Sequence, residues 1–157
     1  MIEKESRILA VDPGDVRIGI AISDPTGTIA NPSTVLKHVK REIDAERIVQ
    51  IALEKEVVLI IVGQALDDEG VATPSGRKAA RLAEAIQLQT DIPVKLWDES
   101  NSTKIARQAK IDMGVSRSRR KGHQDDLAAT VILQSYLDNL EEMNFTRNQN
   151  NASDKDQ

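Results

Sequence analysis

Residues 7–25 read RILAVDPGDVRIGIAISDP, two β-rich runs joined by one turn and closed by another. Arg7 to Asp12 is mostly aliphatic, and Asp12-Pro13-Gly14-Asp15 is a strong turn signal. The strand pattern resumes at Val16 and runs to Ser23. Side chains alternate along a strand, so Ile18, Ile20 and Ile22 face one way while Gly19, Ala21 and Ser23 face the other. One side is therefore bulky and the other lets something pack closely. Asp24-Pro25-Thr26-Gly27 is a second turn, and a third strand is expected through Thr28 to Leu36. Three strands on short turns read as an antiparallel meander.

The period then changes. Arg41 to Glu56 carries Ile43, Ile48, Ile51 and Ala52 near helical spacing. Residues 57–62, VVLIIV, form a continuous β-branched run, the mark of a strand covered on both faces. Gly63 to Gly76 reads as a long polar loop, Arg77 to Gln89 as a helix and Pro93 to Trp97 as a short strand. A helix is expected over Ser102 to Met113, ending at Gly114 as a C-cap, and another over Gln124 to Leu140. From Asn144 the chain is polar, so the reading is one domain over 1–143 and a disordered tail over 144–157. The order βββ-α-β-α-β-α-α predicts an α/β domain: a five-stranded mixed sheet with helices on both faces. The RNase H-like fold answers that pattern.

The chain has 157 residues, enough to bury a core without staples. Aromatic residues make up 2%, so the core must be aliphatic. The chain contains no Cys, which removes disulfide and thiolate chemistry, and its two His are too few for a His-based zinc site. The longest apolar run is too short to span a membrane, and the charged start MIEKESR is not a signal peptide. A cytoplasmic protein without membrane contact is expected. The net charge is −4, so any nucleic-acid surface must come from uneven charge distribution.

Three acidic positions stand at element ends. Asp12 closes the first strand, where open α/β sheets hold ligands, although it could simply cap the turn. Asp98-Glu99 follows the strand PVKLW. Alternation groups Glu99 with Trp97 and Lys95, and Asp98 with Leu96 and Val94, without saying which acid faces a site. Asp125-Asp126 opens the last helix, where acids are favoured by the helix dipole. Asp125 heads the stripe Ala129, Ile132 and Tyr136, which faces the sheet, and Asp126 heads an adjoining one. An acid at the start of a buried stripe is costly unless paired, and a metal ion removes that cost. Three acids from three elements suit a two-metal phosphodiesterase using Mg²⁺ or Mn²⁺. The metal ligands expected from this pattern are Asp12, an acid of the pair Asp98-Glu99 and an acid of the pair Asp125-Asp126, and the residues alone leave both pairs open.

Residues 116–121, SRSRRK, hold Arg117, Arg119, Arg120 and Lys121. Lys104, Arg107 and Lys110 form a stripe on the preceding helix that leads into this run. Most charge runs are solvated surface, but one placed next to Asp125 has a use in binding phosphate. With so few aromatics, backbone-driven binding is expected rather than base stacking.

Taken together these residues resemble the YqgF/RuvX family of bacterial RNase H-like proteins, described as Holliday-junction resolvases and as pre-16S rRNA processing nucleases. Asp12, Gly14, Arg17, Ile18 and Gly19 match its opening Asp-x-Gly-x-x-Arg-Ile-Gly pattern. Ser23-Asp24-Pro25, Val62-Gly63 with Gly70, and Trp97-Asp98-Glu99 match further stretches, as do Ser116 to Gly122, Asp125, Ala128, Ala129 and residues 132–138. The resemblance implies a catalytic set of Asp12, Glu99 and Asp125, with Arg17 and the basic residues above touching nucleic acid. It also implies a cytoplasmic nuclease, monomer or homodimer, acting on a ribosomal RNA precursor. One departure stands out: Ser100-Asn101-Ser102-Thr103 replaces the family's usual Arg-Leu-Ser/Thr-Thr after the acidic pair.

Three other readings compete. A Holliday-junction resolvase acting on branched DNA would share the chemistry, and Asp12-Pro13-Gly14 also resembles the start of the RuvC resolvases. An ATP-binding protein of the actin, Hsp70 and sugar-kinase type shares the fold core, but needs a second phosphate hairpin and a longer chain. A non-catalytic nucleic-acid-binding module would leave the acids structural.

Overall fold

The computed structural model describes residues 6–99 and 124–155. Strands β1 (Ile8–Asp12), β2 (Arg17–Ser23) and β3 (Ala30–Lys37) precede helix α1 (Arg41–Glu54). Strand β4 (Leu59–Gln64), helix α2 (Pro74–Gln87), strand β5 (Val94–Asp98) and helix α3 (Gln124–Lys155) follow. The expected helix over 102–113 and the basic run 116–121 lie outside the described residues.

The sheet order is β3-β2-β1-β4-β5. β1, β2 and β3 form the antiparallel meander, and β4 and β5 extend it parallel to β1. β1 is thus central, with Leu9, Ala10 and Val11 fully buried. This is the mixed sheet expected from the sequence, and it is RNase H-like.

Alternation divides the core into two layers. Leu9, Val11, Ile18, Ile20, Ile22, Ile60 and Val62 face α1 and α2. Ile8, Ala10, Ala21 and Ile61 face α3, where Ala129, Ile132, Leu133, Tyr136 and Leu137 complete the packing. The bulky and small sides of β2 are therefore used as their residues suggest, with α3 against the small side. β4 is covered on both faces, since Ile60, Ile61 and Val62 are all fully buried.

Several boundaries differ from the sequence reading. β4 starts at Leu59 rather than Val57, because Val57 N–H still bonds to Ala52 O and closes α1 through Glu56, which has φ 54°. The loop expected over 63–76 is shorter, because α2 begins at Pro74 with Thr73 as its N-cap. The Thr73 hydroxyl accepts from Gly76 N–H at 3.1 Å, and a proline at N1 is pre-set for a helix start. α3 runs on past Leu140 to Lys155. Residues 141–151 are exposed, so their helix rests on local hydrogen bonding in a stretch without Gly or Pro to stop it.

Candidate active site

The C-terminal ends of β1, β4 and β5 meet at one edge of the sheet. Residues 8, 10 and 12 of β1 share the α3 face, and the sheet register sets Asp12 opposite Gly19 of β2. On the other side Val11 pairs with Val62, which brings Gly63 beside Asp12, and Gly63 pairs with Trp97 of β5. The central carboxylate therefore has a glycine on each neighbouring strand, and its side chain stands in a space that no neighbouring Cβ fills.

Glu99 occupies that space. Its backbone N–H bonds to Gln64 O at 3.0 Å, which fixes the chain just beyond β5. Trp97 is anchored on the same face. Its indole N–H donates to Ser135 Oγ at 3.3 Å, and its ring meets Tyr136 edge-on at 5.2 Å between centroids. Glu99 follows Trp97 on the α3 face, while Asp98 shares the opposite face with Leu96. This settles which acid of the pair approaches Asp12. The Glu99 side chain lies across Gly63, where a Cβ would stand 2.7 Å from Glu99 Oε1 and 2.8 Å from Ile132 Cδ1.

The Glu99 carboxyl is hydrogen-bonded to the side chain of Asp12. Its pKa is raised, first by burial and further by the charge of Asp98, while the hydrogen bond with Asp12 works against the rise. Two carboxylates brought this close repel when both are charged, and a cation between them relieves that repulsion. They offer hard oxygen donors of the kind a Mg²⁺ or Mn²⁺ ion takes.

The other expected residues divide. Residue 125 lies in the first turn of α3, two turns before Ile132 on the same buried stripe as Ala129. The side chains of Asp125 and Asp126 lie outside the described residues. Among the described residues no third His, Cys, Asp or Glu joins Asp12 and Glu99 in a metal-sized cluster. Arg17 is exposed at the start of β2, on the side of Asp12 by alternation. Lys104, Arg107, Arg117, Arg119, Arg120 and Lys121 are outside the described residues.

The sequence reading did not connect Gly63 with Glu99. The signal was a glycine ending an otherwise β-branched strand, which marks close approach by another group. Gly14 has a similar local reason: a Cβ there would sit 2.2 Å from Arg17 O, so the turn after Asp12 admits no side chain.

A strand-end carboxylate at the centre of a 3-2-1-4-5 mixed sheet, met by a second acid just beyond β5, is laid out on an RNase H-like fold. The chain belongs to the RuvX family: the family model, described as "Holliday junction resolvase", matches residues 6–139. A relative from Thermoanaerobacter pseudethanolicus, which carries the name "Putative pre-16S rRNA nuclease", is 44% identical over 84% of this chain and 96% of its own length. A relative of the same name from Desulforamulus reducens is 40% identical over 84% of this chain and 96% of its own. Among solved structures, Thermus thermophilus RuvC in complex with Holliday junction substrate superposes with a TM-score of 0.56. It is 13% identical and covers 83% of this chain and 91% of its own, a likeness of fold.

Proposed function

We propose that this protein is a metal-dependent nuclease that hydrolyses phosphodiester bonds in the 5′ region of the 16S ribosomal RNA precursor, in the cytoplasm. The observation that carries the reading is the contact between the Asp12 and Glu99 carboxyls at the C-terminal edge of the sheet. The substrate follows from the names of the relatives that align along most of their length.

Asp12, Glu99 and Asp125 would hold Mg²⁺ or Mn²⁺. Bound there, the cation supplies Lewis acidity, which activates water and neutralises charge building on the phosphate. The chain's own part is positional. Asp12 is fixed by the central strand, Glu99 by its bond to Gln64 and by Gly63 beneath it. Burial against α3 keeps Glu99 partly out of water, which strengthens its interaction with a cation. Arg17 and the basic residues of 104–121 would hold the phosphate backbone.

The test is cleavage of a labelled panel with Mg²⁺ or Mn²⁺: a pre-16S leader RNA, unrelated single-stranded RNA, duplexes and a four-way DNA junction. Preferred cleavage of the leader RNA supports the proposal. Preferred cleavage of the junction assigns the site to resolution of branched DNA. Binding with no cleavage of any substrate leaves a nucleic-acid-binding module.

A further inference from the structure

On the other face of the same sheet edge lies a cleft of about 350 Å³. Three elements wall it: the β1–β2 turn at Pro13, Gly14 and Asp15, the segment 38–41 that leads into α1, and the first turns of α2. Its floor is apolar, made by the buried Ile18 and Leu82. Its rim carries Lys40, Arg41, Lys78 and Arg81, against the carboxylates of Asp15 and Asp44.

The carboxylates do not cancel that charge. Asp44 is buried and committed: it accepts from Val39 N–H at 3.0 Å and pairs with His38 Nδ1. His38 N–H in turn bonds to Val16 O at 2.9 Å, so residues 38 and 39 are tied to the β1–β2 turn on one side and to α1 on the other. Asp15 meets Lys78 at 3.2 Å, but both side chains are mostly exposed, and such a pair is weak and easily exchanged. Among the described residues Lys40, Arg41 and Arg81 form no ion pair. A protein of net charge −4 thus keeps a fixed, cationic recess immediately behind Asp12.

We propose that this cleft is a second phosphate-binding site, which holds the backbone of the substrate strand beside the bond to be cut. Asp12 and Asp15 are three residues apart, so their Cα atoms are separated by at most about 11 Å. A strand crossing the sheet edge over the β1–β2 turn therefore passes from the carboxylate pair to the cleft within a few nucleotides. Lys78 and Arg81 lie one turn apart on α2 and present two charges along one line, as successive phosphates require. The apolar floor has room for a sugar. The proposal rests on the nuclease reading, and its test separates the two.

The experiment measures binding of a fluorescent single-stranded RNA, and of a DNA of the same sequence, to the full chain in chelator over a series of salt concentrations. The variants are Lys78→Ala/Arg81→Ala and Lys40→Ala/Arg41→Ala. Lys55→Ala, at the far end of α1, is the control, and melting checks that each variant folds. Each double variant is expected to weaken binding and to reduce the slope of log K against log salt by about 0.7 to 1.4, one or two phosphate contacts. The control should match wild type. An unchanged slope in both double variants, with wild-type binding intact, overturns the cleft and leaves the nuclease reading standing. Wild type that binds but cleaves no member of the substrate panel when Mn²⁺ is added sinks the nuclease reading and leaves the cleft. Wild type that binds neither strand overturns the cleft and leaves the nuclease reading to the cleavage panel. Displacement of the RNA by an equal concentration of inorganic phosphate or a mononucleotide would assign the cleft to a small free anion and overturn the backbone assignment.

Discussion

Glu99 lies across the backbone of Gly63, with its Oε1 only 2.7 Å from the place where a Cβ would stand. The penultimate residue of β4 thus sets where the second acid of the site can be. Gly63→Ala forces Glu99 and Ile132 aside together, since Ile132 Cδ1 is 2.8 Å from the same point. We expect the variant to fold with a loss of about 1–3 kcal/mol, as for other overpacked sites. Cleavage should fall by more than tenfold through kcat while RNA affinity holds. Melting, binding and single-turnover cleavage on one preparation check this, and unchanged cleavage would show that Glu99 does not need its present position.

Metal-free stability should fall as pH rises. The Glu99 pKa is raised by burial and by Asp98, so the folded protein binds a proton more tightly than the unfolded chain does. Stability from that proton is complete below the ordinary glutamate value and is lost as pH climbs through the raised one. Glu99→Gln removes the dependence. In chelator its melting point should exceed that of wild type at neutral pH, with the gap closing in acid. A gap that is constant with pH would contradict the raised Glu99 pKa.

Asp24 predicts the opposite slope. Its carboxylate accepts from the N–H groups of Thr28 at 2.9 Å and Ile29 at 2.8 Å and from Thr26, holding the turn between β2 and β3. These bonds, that from Ile29 foremost, hold its pKa well below the usual carboxylate range. Its contribution is present above the unfolded aspartate value and is lost only as pH falls through the depressed one. Asp24→Asn should lower the melting point at neutral pH, with a difference that narrows in strong acid. Equal melting points at pH 7 would show that the turn does not depend on the charge.

Trp97→Phe keeps the edge-on ring contact with Tyr136 but leaves the buried Ser135 hydroxyl without its indole donor. The expected cost is about 1–2 kcal/mol in urea unfolding. A loss near zero would mean that water replaces the bond at no cost.

Much of this was legible in the sequence because it depends on period. The alternation Ile18-Gly19-Ile20-Ala21 announced a strand with one close-packed side, and α3 occupies that side. The run at 57–62 announced a doubly covered strand, and β4 is one. The choice between Asp98 and Glu99 was not legible, because it depends on how far β5 runs and on a tertiary contact with Gly63. The cleft behind Asp12 was also hidden. Lys40 and Arg41 are distant in sequence from Lys78 and Arg81, and only the parallel placing of β1 and β4 brings the starts of α1 and α2 to one edge. The end of α3 was misjudged because polar residues that cannot pack can still be helical.

The central claim is that Asp12 works with Glu99 to hold a catalytic cation, and Asp12→Asn tests it most directly. The substitution keeps size and turn hydrogen bonding but removes the charge a hard cation needs. One sample is measured for RNA cleavage with Mn²⁺ and for melting with and without Mn²⁺. The account predicts cleavage reduced by at least about a thousandfold, because the site has no other means of activating water. It also predicts a metal-free melting point equal to or above wild type, and a smaller stabilisation by Mn²⁺. Near-normal cleavage with an undiminished Mn²⁺ response would contradict it and leave Asp12 as the cap of a turn.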